Sequence, residues 1–285
     1  MTILVTGARG NVGSEVVRAL REGGHEVRGS ARDATGLDLL DAVSLDLTAE
    51  GGFEDALRGV DAIFLYPTRP NGAEYFLAAA HKAGVSYVVL LSSPDVYEGA
   101  ADNPIRRAHL PAEEALAESG LPFTVLYPGW LAGNTRRDWG AAIRAGKPVR
   151  LFSPESQCTP TAEADVAAVA AKLLTERSYP GQRLALTGPE SMTQRAVVEI
   201  LAEELGRSIE VVTETRSEAL ARRPEWMPEA VLEHLMDVEE AAAGRAAPVN
   251  NTVERFVGRA TSFREWAQAH KDDFARQRLS DVDKG

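Results

Sequence analysis

Thr6-Gly7-Ala8-Arg9-Gly10-Asn11-Val12-Gly13 decides how this chain is read. It follows a short apolar run, Ile3-Leu4-Val5, and precedes an amphipathic run from Ser14 to Arg21. Strand, tight turn and helix in that order are the setting in which closely spaced glycines cradle phosphate. Gly7 lets the chain leave the strand sharply. Gly10 brings bare backbone up to a pyrophosphate, and Gly13 lets the helix pack against the strand. The first turn of the helix, beginning at Asn11 and Val12, offers unpaired N–H groups and a partial positive charge to the phosphates. A turn that binds nothing could use the same glycines, so the flanking strand and helix carry the argument.

Composition sets the bounds. The 285 residues are 44% hydrophobic and 26% charged, as in an ordinary globular protein, and long enough for one domain with an appended lobe. The formal net charge of -11 argues against nucleic acid or an anionic membrane as a partner, since no basic excess is present to neutralise phosphates. Cys158 is the single cysteine, so no disulfide framework exists and a reducing cytoplasm suits the chain. Nothing near Cys158 in sequence marks it as an activated nucleophile. No signal peptide is expected, because the sequence runs straight into a strand. No uninterrupted apolar run is long enough to span a bilayer.

Beyond the first helix, Gly23-Gly24 is a stop signal, and His25 to Arg32 reads as a second strand. In dinucleotide sites the end of this strand faces the adenosine ribose, where an acidic residue would favour a free 2′-hydroxyl. Ser30 and Ala31 stand here, followed by Arg32, whose guanidinium can grip a 2′-phosphate. Arg9 could reach the same phosphate. Both favour NADPH over NADH, although Asp33 could still serve a ribose and exposed arginines are common. Ala42 to Leu47 reads as a third strand. Asp46 could meet the adenine amino group with Leu47 on the ring, or Asp46 could simply cap the next segment. Val60 to Pro67 is a fourth strand, its apolar run suiting a parallel sheet covered on both faces. The backbone at Tyr66 and Pro67 should lie beside the nicotinamide end of the cofactor. Helix from Gly72 to Ala83 and strand from Tyr87 to Leu91 follow. This alternation predicts an α/β fold with a doubly wound parallel sheet.

Ser92-Ser93 stands at the carboxyl end of the fifth strand, the edge where such sheets bind ligands. Ser93 could hold a substrate carbonyl, or cap the segment after it, and which serine faces the substrate is open. A helix from Ile105 to Glu118 carries His109. A sixth strand, Phe123 to Tyr127, ends in Pro128-Gly129-Trp130 at the same edge.

These pieces together resemble the atypical, NmrA-like short-chain dehydrogenase/reductases. The match runs through Thr6 to Gly13, Arg32, Leu91-Ser92-Ser93 with Val96-Tyr97, His109 to Glu113, and Ser119 to Pro128. It continues at Asp165-Val166-Ala167, Leu186 to Pro189, and Val253 to Arg259. The resemblance implies a Rossmann fold and NAD(P) binding; the group mixes reductases with cofactor-sensing regulators. Typical members carry Tyr-x-x-x-Lys on the helix after the fifth strand, with Tyr as proton donor and Lys on the nicotinamide ribose. Here Ile105 takes the Tyr position and His109 the Lys position. The usual donor is missing. His109 could donate the proton, or bind ribose, or be structural; Tyr97, Ser93 and an acidic hydroxyl of the substrate are other sources.

Past Trp130 the pattern loosens. A helix is expected over Asn134 to Lys147, with connections at Pro148 to Phe152 and Thr159 to Thr161. Helices then follow over Asp165 to Leu174, Thr193 to Leu205, Pro228 to Ala243 and Ser262 to Phe274. The expected division is a cofactor-binding domain over 1–155, with 156–285 completing the sheet and forming a smaller, mostly helical substrate lobe. Tyr127, Trp130 and Trp226 are candidates to line a pocket for a flat organic molecule, although aromatics are also ordinary core residues. The expected function is an NADPH-dependent reductase of a ketone or quinone on a bulky, aromatic, polyketide-like molecule, as in antibiotic biosynthesis. The alternatives are a non-catalytic NADP sensor that binds a protein partner and, more remotely, a nucleotide-sugar or isomerase activity.

Overall fold

The computed structural model describes residues 1–39, 41–66, 73–98 and 102–275. Pro67, expected at the cofactor, lies outside the described residues, as do Gly72 and the last residues of the chain. In order, the elements begin β1 (Thr2–Val5), α1 (Asn11–Glu22), β2 (Glu26–Ala31), β3 (Ala42–Ser44), α2 (Glu54–Leu57) and β4 (Ala62–Leu65). Then come α3 (Ala73–Lys82), β5 (Tyr87–Leu91), α4 (Pro104–Glu118), β6 (Phe123–Pro128), α5 (Asn134–Asp138), α6 (Gly140–Arg144), β7 (Val149–Leu151) and β8 (Gln157–Cys158). They continue through α7 (Glu163–Glu176), β9 (Gln182–Leu186), β10 (Met192–Thr193), α8 (Gln194–Glu204), β11 (Val211–Thr213) and α9 (Arg216–Ala221). The last are α10 (Glu229–Ala242), α11 (Thr252–Val257) and α12 (Phe263–Ala269).

Two compact units share these elements. The first comprises Met1–Gly129, Glu163–Thr187 and Asn250–Ala260. It holds a seven-stranded sheet in the order β3-β2-β1-β4-β5-β6-β9, every pairing parallel. Strand order reverses between β1 and β4, the topological switch point at which such sheets bind ligands. β4 and β5 are buried at every residue, which is why they read as unbroken apolar runs. Leu4, Ile63, Leu65, Val88, Leu90 and Val125 join Phe76 and Leu77 of α3 and Leu116 of α4 in one core cluster. The alternate residues point to the other face, where α1 and α7 pack together. The boundary expected at 155/156 differs from this division. β6 would be left with an open edge and the α1 side of the sheet half covered, so the chain returns after residue 162 to add α7 and β9.

The second unit comprises Trp130–Ala162, Gly188–Val249 and Thr261–Gly285. Its core joins Trp139, Ile143, Val149, Leu151, Val198 and Leu201 with Phe263, Trp266 and Phe274. The helix expected over Asn134 to Lys147 is two short ones, α5 and α6, divided at Trp139. Trp139 turns its ring inward, 7% exposed, and the chain re-enters helix at Gly140. Pro148 to Phe152, expected as a connection, contains β7, which pairs in parallel with β11 from Val149↔Val211 to Thr213↔Leu151. The final helix stops at Ala269 and is followed by a 3₁₀ turn, Lys271–Phe274. Among the described residues, no helix is long and apolar enough to cross a membrane.

Candidate active site

The glycine turn joins β1 to α1. Gly7 takes φ +64°, a left-handed conformation open to glycine, and the Gly10 N–H closes the turn on the Gly7 carbonyl at 2.8 Å. A Cβ on Gly13 would run into that same carbonyl oxygen. Gly10 is the N-cap of α1 and contributes no side-chain cap, and the first helical turn has no acidic residue. The helix therefore begins with unopposed positive partial charge. Thr6 fixes the turn against the next strand. Its hydroxyl donates to the Phe64 carbonyl at 3.1 Å and accepts from the Tyr66 N–H at 2.8 Å.

Arg9 reaches from the turn to the loop after β2, donating to the Thr35 carbonyl. Asp33 accepts the Thr35 N–H at 2.8 Å, and this bond, with the Arg9 charge, lowers its carboxyl below the ordinary range. Asp33 is thus engaged in its own loop. Arg32 is exposed and hydrogen-bonds to no group among the described residues. Asp46 accepts both the N–H (2.9 Å) and the hydroxyl (2.7 Å) of Thr48, so its capping role is present. Leu47 packs against the core of the sheet's α3 side.

At the end of β5 the two serines diverge. Ser92 is buried and donates to Glu113 Oε1 of α4 at 2.5 Å. Ser93 caps the 3₁₀ turn Pro94–Val96, accepting from the Asp95 N–H at 3.3 Å and donating to Asp95 Oδ2 at 2.9 Å. The capping alternative for Ser93 is therefore realised, and its proton is directed at Asp95. Tyr127 is a core residue, 3% exposed, with its hydroxyl donated to Glu113 Oε2 at 2.6 Å. That differs from a place on a ligand-lining surface, because the strand turns this side chain toward α4. Burial raises the Tyr127 phenol well above its ordinary value, and the Glu113 bond adds to the effect. Tyr97 is half exposed and meets the Tyr127 ring edge to face at 4.8 Å. Its phenol is raised by burial, then by the Glu98 charge, so it is a weaker acid than a free tyrosine.

Glu113 was no candidate on sequence grounds, yet it ties β5, β6 and α4 together, with Arg183 Nε of β9 at 3.8 Å. The available signal was a carboxylate on the same helical face as Ala112 and Leu116, opposite hydroxyls at two strand ends.

His109 lies one turn before Glu113 on α4, its ring 6.4 Å from that of Tyr66. Burial lowers its pKa, with Asp95 opposing, so the imidazole is neutral at neutral pH. Burial thus works against the protonated form that a donor at neutral pH would need. Its Nδ1 is buried with no partner among the described residues. A buried polar atom left unpaired is rare enough to need an explanation. A sugar hydroxyl is the kind of group that would satisfy this atom. Together with the bare glycine turn, this fits a dinucleotide, whose nicotinamide supplies hydride when bound.

The remaining aromatic candidates belong to the second unit. Trp130 packs on Trp139 at 5.8 Å. Trp226 is 59% exposed, with the Arg137 guanidinium 5.6 Å from its ring centre. The Cys158 thiol is pushed up to about 12 by burial, which leaves it unreactive. Pro128 is buried at the end of β6.

Comparison with known proteins agrees with the turn and the sheet. The family model described as NAD(P)H-binding matches residues 7–177. A (4-alkanoyl-5-oxo-2,5-dihydrofuran-3-yl)methyl phosphate reductase of Streptomyces griseus is 36% identical over 288 residues, covering 96% of this chain and 99% of the relative. An NAD(P)H azoreductase of Xenophilus azovorans is 30% identical, over 95% of this chain and 99% of its own. An NADPH-dependent quinone oxidoreductase from Escherichia coli shares the fold, with a TM-score of 0.77 at 22% identity, over 94% of this chain and 99% of that one. The chain belongs to the NAD(P)H-binding family and is an oxidoreductase.

Proposed function

We propose that the protein is an NADPH-dependent reductase that delivers hydride to a ketone or quinone carbonyl of a bulky small molecule. The observation that carries this reading is the pair on α4. Ile105 stands one turn from His109 and offers no proton, and His109 is neutral. A simple ketone becomes a strongly basic alkoxide and needs a built-in acid. A quinone becomes a phenolate, whose conjugate acid has a pKa of about 10, so water suffices to protonate it. The site therefore suits substrates whose reduced form is a stabilised anion, such as quinones and hydroxyaryl ketones. The Streptomyces relative, named for a dihydrofuranone phosphate, and the azoreductase both fit a reductase of conjugated small molecules.

The residues divide the work. Gly7, Gly10 and Gly13, with the N–H groups at Asn11 and Val12, hold the pyrophosphate. Arg9 and Arg32 take the 2′-phosphate, Leu47 and Asp46 border the adenine, and His109 Nδ1 bonds a ribose hydroxyl beside Tyr66. Ser93 and Tyr97 border the substrate without acting as strong acids. The test is NADPH consumption over a panel of quinones, hydroxyaryl ketones and plain aliphatic ketones, with NADH in parallel. Turnover of the first two classes and not the third is expected. Tight NADPH binding with no turnover across the panel overturns the reading and favours a cofactor-sensing regulator.

A further inference from the structure

The second unit contains a cavity of about 470 Å³, bounded by α5, α6, β7, α9 and α10. That volume is within the usual range for small-ligand sites. Its charge is opposite to that of the chain. Five cationic side chains line it against three carboxyls, in a protein of formal net charge -11.

The three carboxyls are already engaged. Glu214 is buried and accepts two hydrogen bonds from Arg222, at 3.1 and 2.5 Å. Asp138 accepts two from Arg137, at 2.7 and 2.9 Å. Glu239 is bonded to the Gln194 side chain and raised to about 7 by burial. The cations are less fully matched. Arg223 donates to the Met227 carbonyl at 2.5 Å and has the Glu229 carboxylate at 4.0 Å, which leaves Lys147 and Arg150 as the unmatched pair. The side chains of Lys147, just before β7, and Arg150, within it, are exposed and hydrogen-bond to no group among the described residues; Glu218 feels the charge of Arg150. The apolar part of the wall is substantial: Trp226, Met227, Leu232 and Met236. Trp226 keeps more than half its surface exposed, and Arg137 steadies its ring.

We propose that this cavity is a binding site for a small organic anion with an apolar body. Its carboxylate or phosphate is held by Lys147 and Arg150, and its body lies on Trp226 and Met227. Unmatched cations beside an exposed indole make a receptor for a molecule with one charged end and one greasy end. The site rests on the reductase reading only in so far as the bound anion is called a substrate.

The experiment is calorimetric titration of the full chain, without NADPH, with 2-naphthyl phosphate, 2-naphthoate and uncharged 2-naphthol. At least one anion should bind about tenfold or more tighter than 2-naphthol, as expected for charge-assisted contacts, and the tighter anion identifies the headgroup. The double variant Lys147→Ala/Arg150→Ala should lose about tenfold or more in anion affinity and keep its affinity for 2-naphthol. Trp226→Ala should weaken all three. Unchanged melting and unchanged NADPH affinity establish that the variants are folded. Equal binding of the naphthol and the anions, anion binding unaltered in the double variant, or binding of none of the three overturns the proposal. Because NADPH is left out, absence of turnover sinks the reductase reading without touching this one.

Discussion

Ser92 and Glu113 are joined at 2.5 Å, hydroxyl to carboxylate, across the gap between the end of β5 and the middle of α4. Tyr127 occupies the other carboxylate oxygen. Glu113→Ala strands two buried hydroxyls and should destabilise the protein by about 2–4 kcal/mol. Glu113→Gln retains one acceptor and should fall between the two. Urea unfolding measures both; a midpoint unchanged in the alanine variant contradicts a structural role for this carboxylate.

Gly13→Ala tests the turn. The added Cβ collides with backbone at Gly7, which cannot swing aside as a side chain would. Strain of about 1–3 kcal/mol is expected, with NADPH affinity lowered by about tenfold or more as the turn opens. Thermal melts and a fluorescence titration of NADPH separate the two effects.

Coenzyme choice should rest on Arg9 and Arg32. Arg32 is exposed and bonded to nothing within the protein among the described residues, so Arg32→Ala should leave melting unchanged. It should lower kcat/KM for NADPH by about tenfold to a hundredfold and spare NADH. Arg9→Ala should do the same and also loosen the Thr35 loop it now holds. A uniform loss with both coenzymes contradicts the assignment.

The site's pH behaviour follows from His109. Its folded pKa lies below the ordinary imidazole value of 6.5. Between the two values the unfolded chain binds a proton that the folded protein refuses, so stability rises with pH there. The contribution is complete above about 6.5 and is lost as pH falls through the folded pKa. His109→Gln should flatten this acid-side loss, as measured by denaturant midpoints over a pH series. In the wild type, kcat/KM should show no group titrating at the ordinary imidazole value.

Glu239 behaves in the opposite sense. Its folded carboxyl is raised to about 7 by burial, then by Asp138 and Glu214, with Gln194 opposing. Cys158 of β8 also faces it. Between the ordinary carboxyl value and about 7 the folded state holds a proton that the unfolded state releases, so stability declines as pH rises. Glu239→Gln cannot ionise. Its Tm should exceed the wild type's by about 2–4 °C at pH 8 and converge with it under acid.

What the sequence carried was whatever is encoded locally. The glycine turn is written in eight consecutive residues, and β4 and β5 are apolar because both their faces are covered. β7 was harder. β11 overlaps a short strand expected at Ile209 to Val212, whereas the three residues of β7 give no period to read and are a strand only because β11 is beside them. The break at Trp139 likewise reflects a tertiary pull on one ring. The roles at the site divide along the same line. Gly7 and Gly13 act through their own backbone and were legible. Glu113, the direction of Ser92 and the neutrality of His109 depend on partners distant in sequence.

The first unit is assembled from three separated segments of chain, the last reached only at Asn250. During synthesis the glycine turn and six of the seven strands leave the ribosome before α7 and β9 exist. Until then the nascent sheet presents β6 as an open edge and one greasy face with only α1 upon it. Synthesis proceeds at about 5–20 residues per second, so that exposure lasts for seconds. A fragment ending at residue 155 would be held permanently in that state. It should behave as an aggregation-prone intermediate, needing a chaperone's attention, and the portable coenzyme-binding module must instead include the chain's return through residue 187 and beyond.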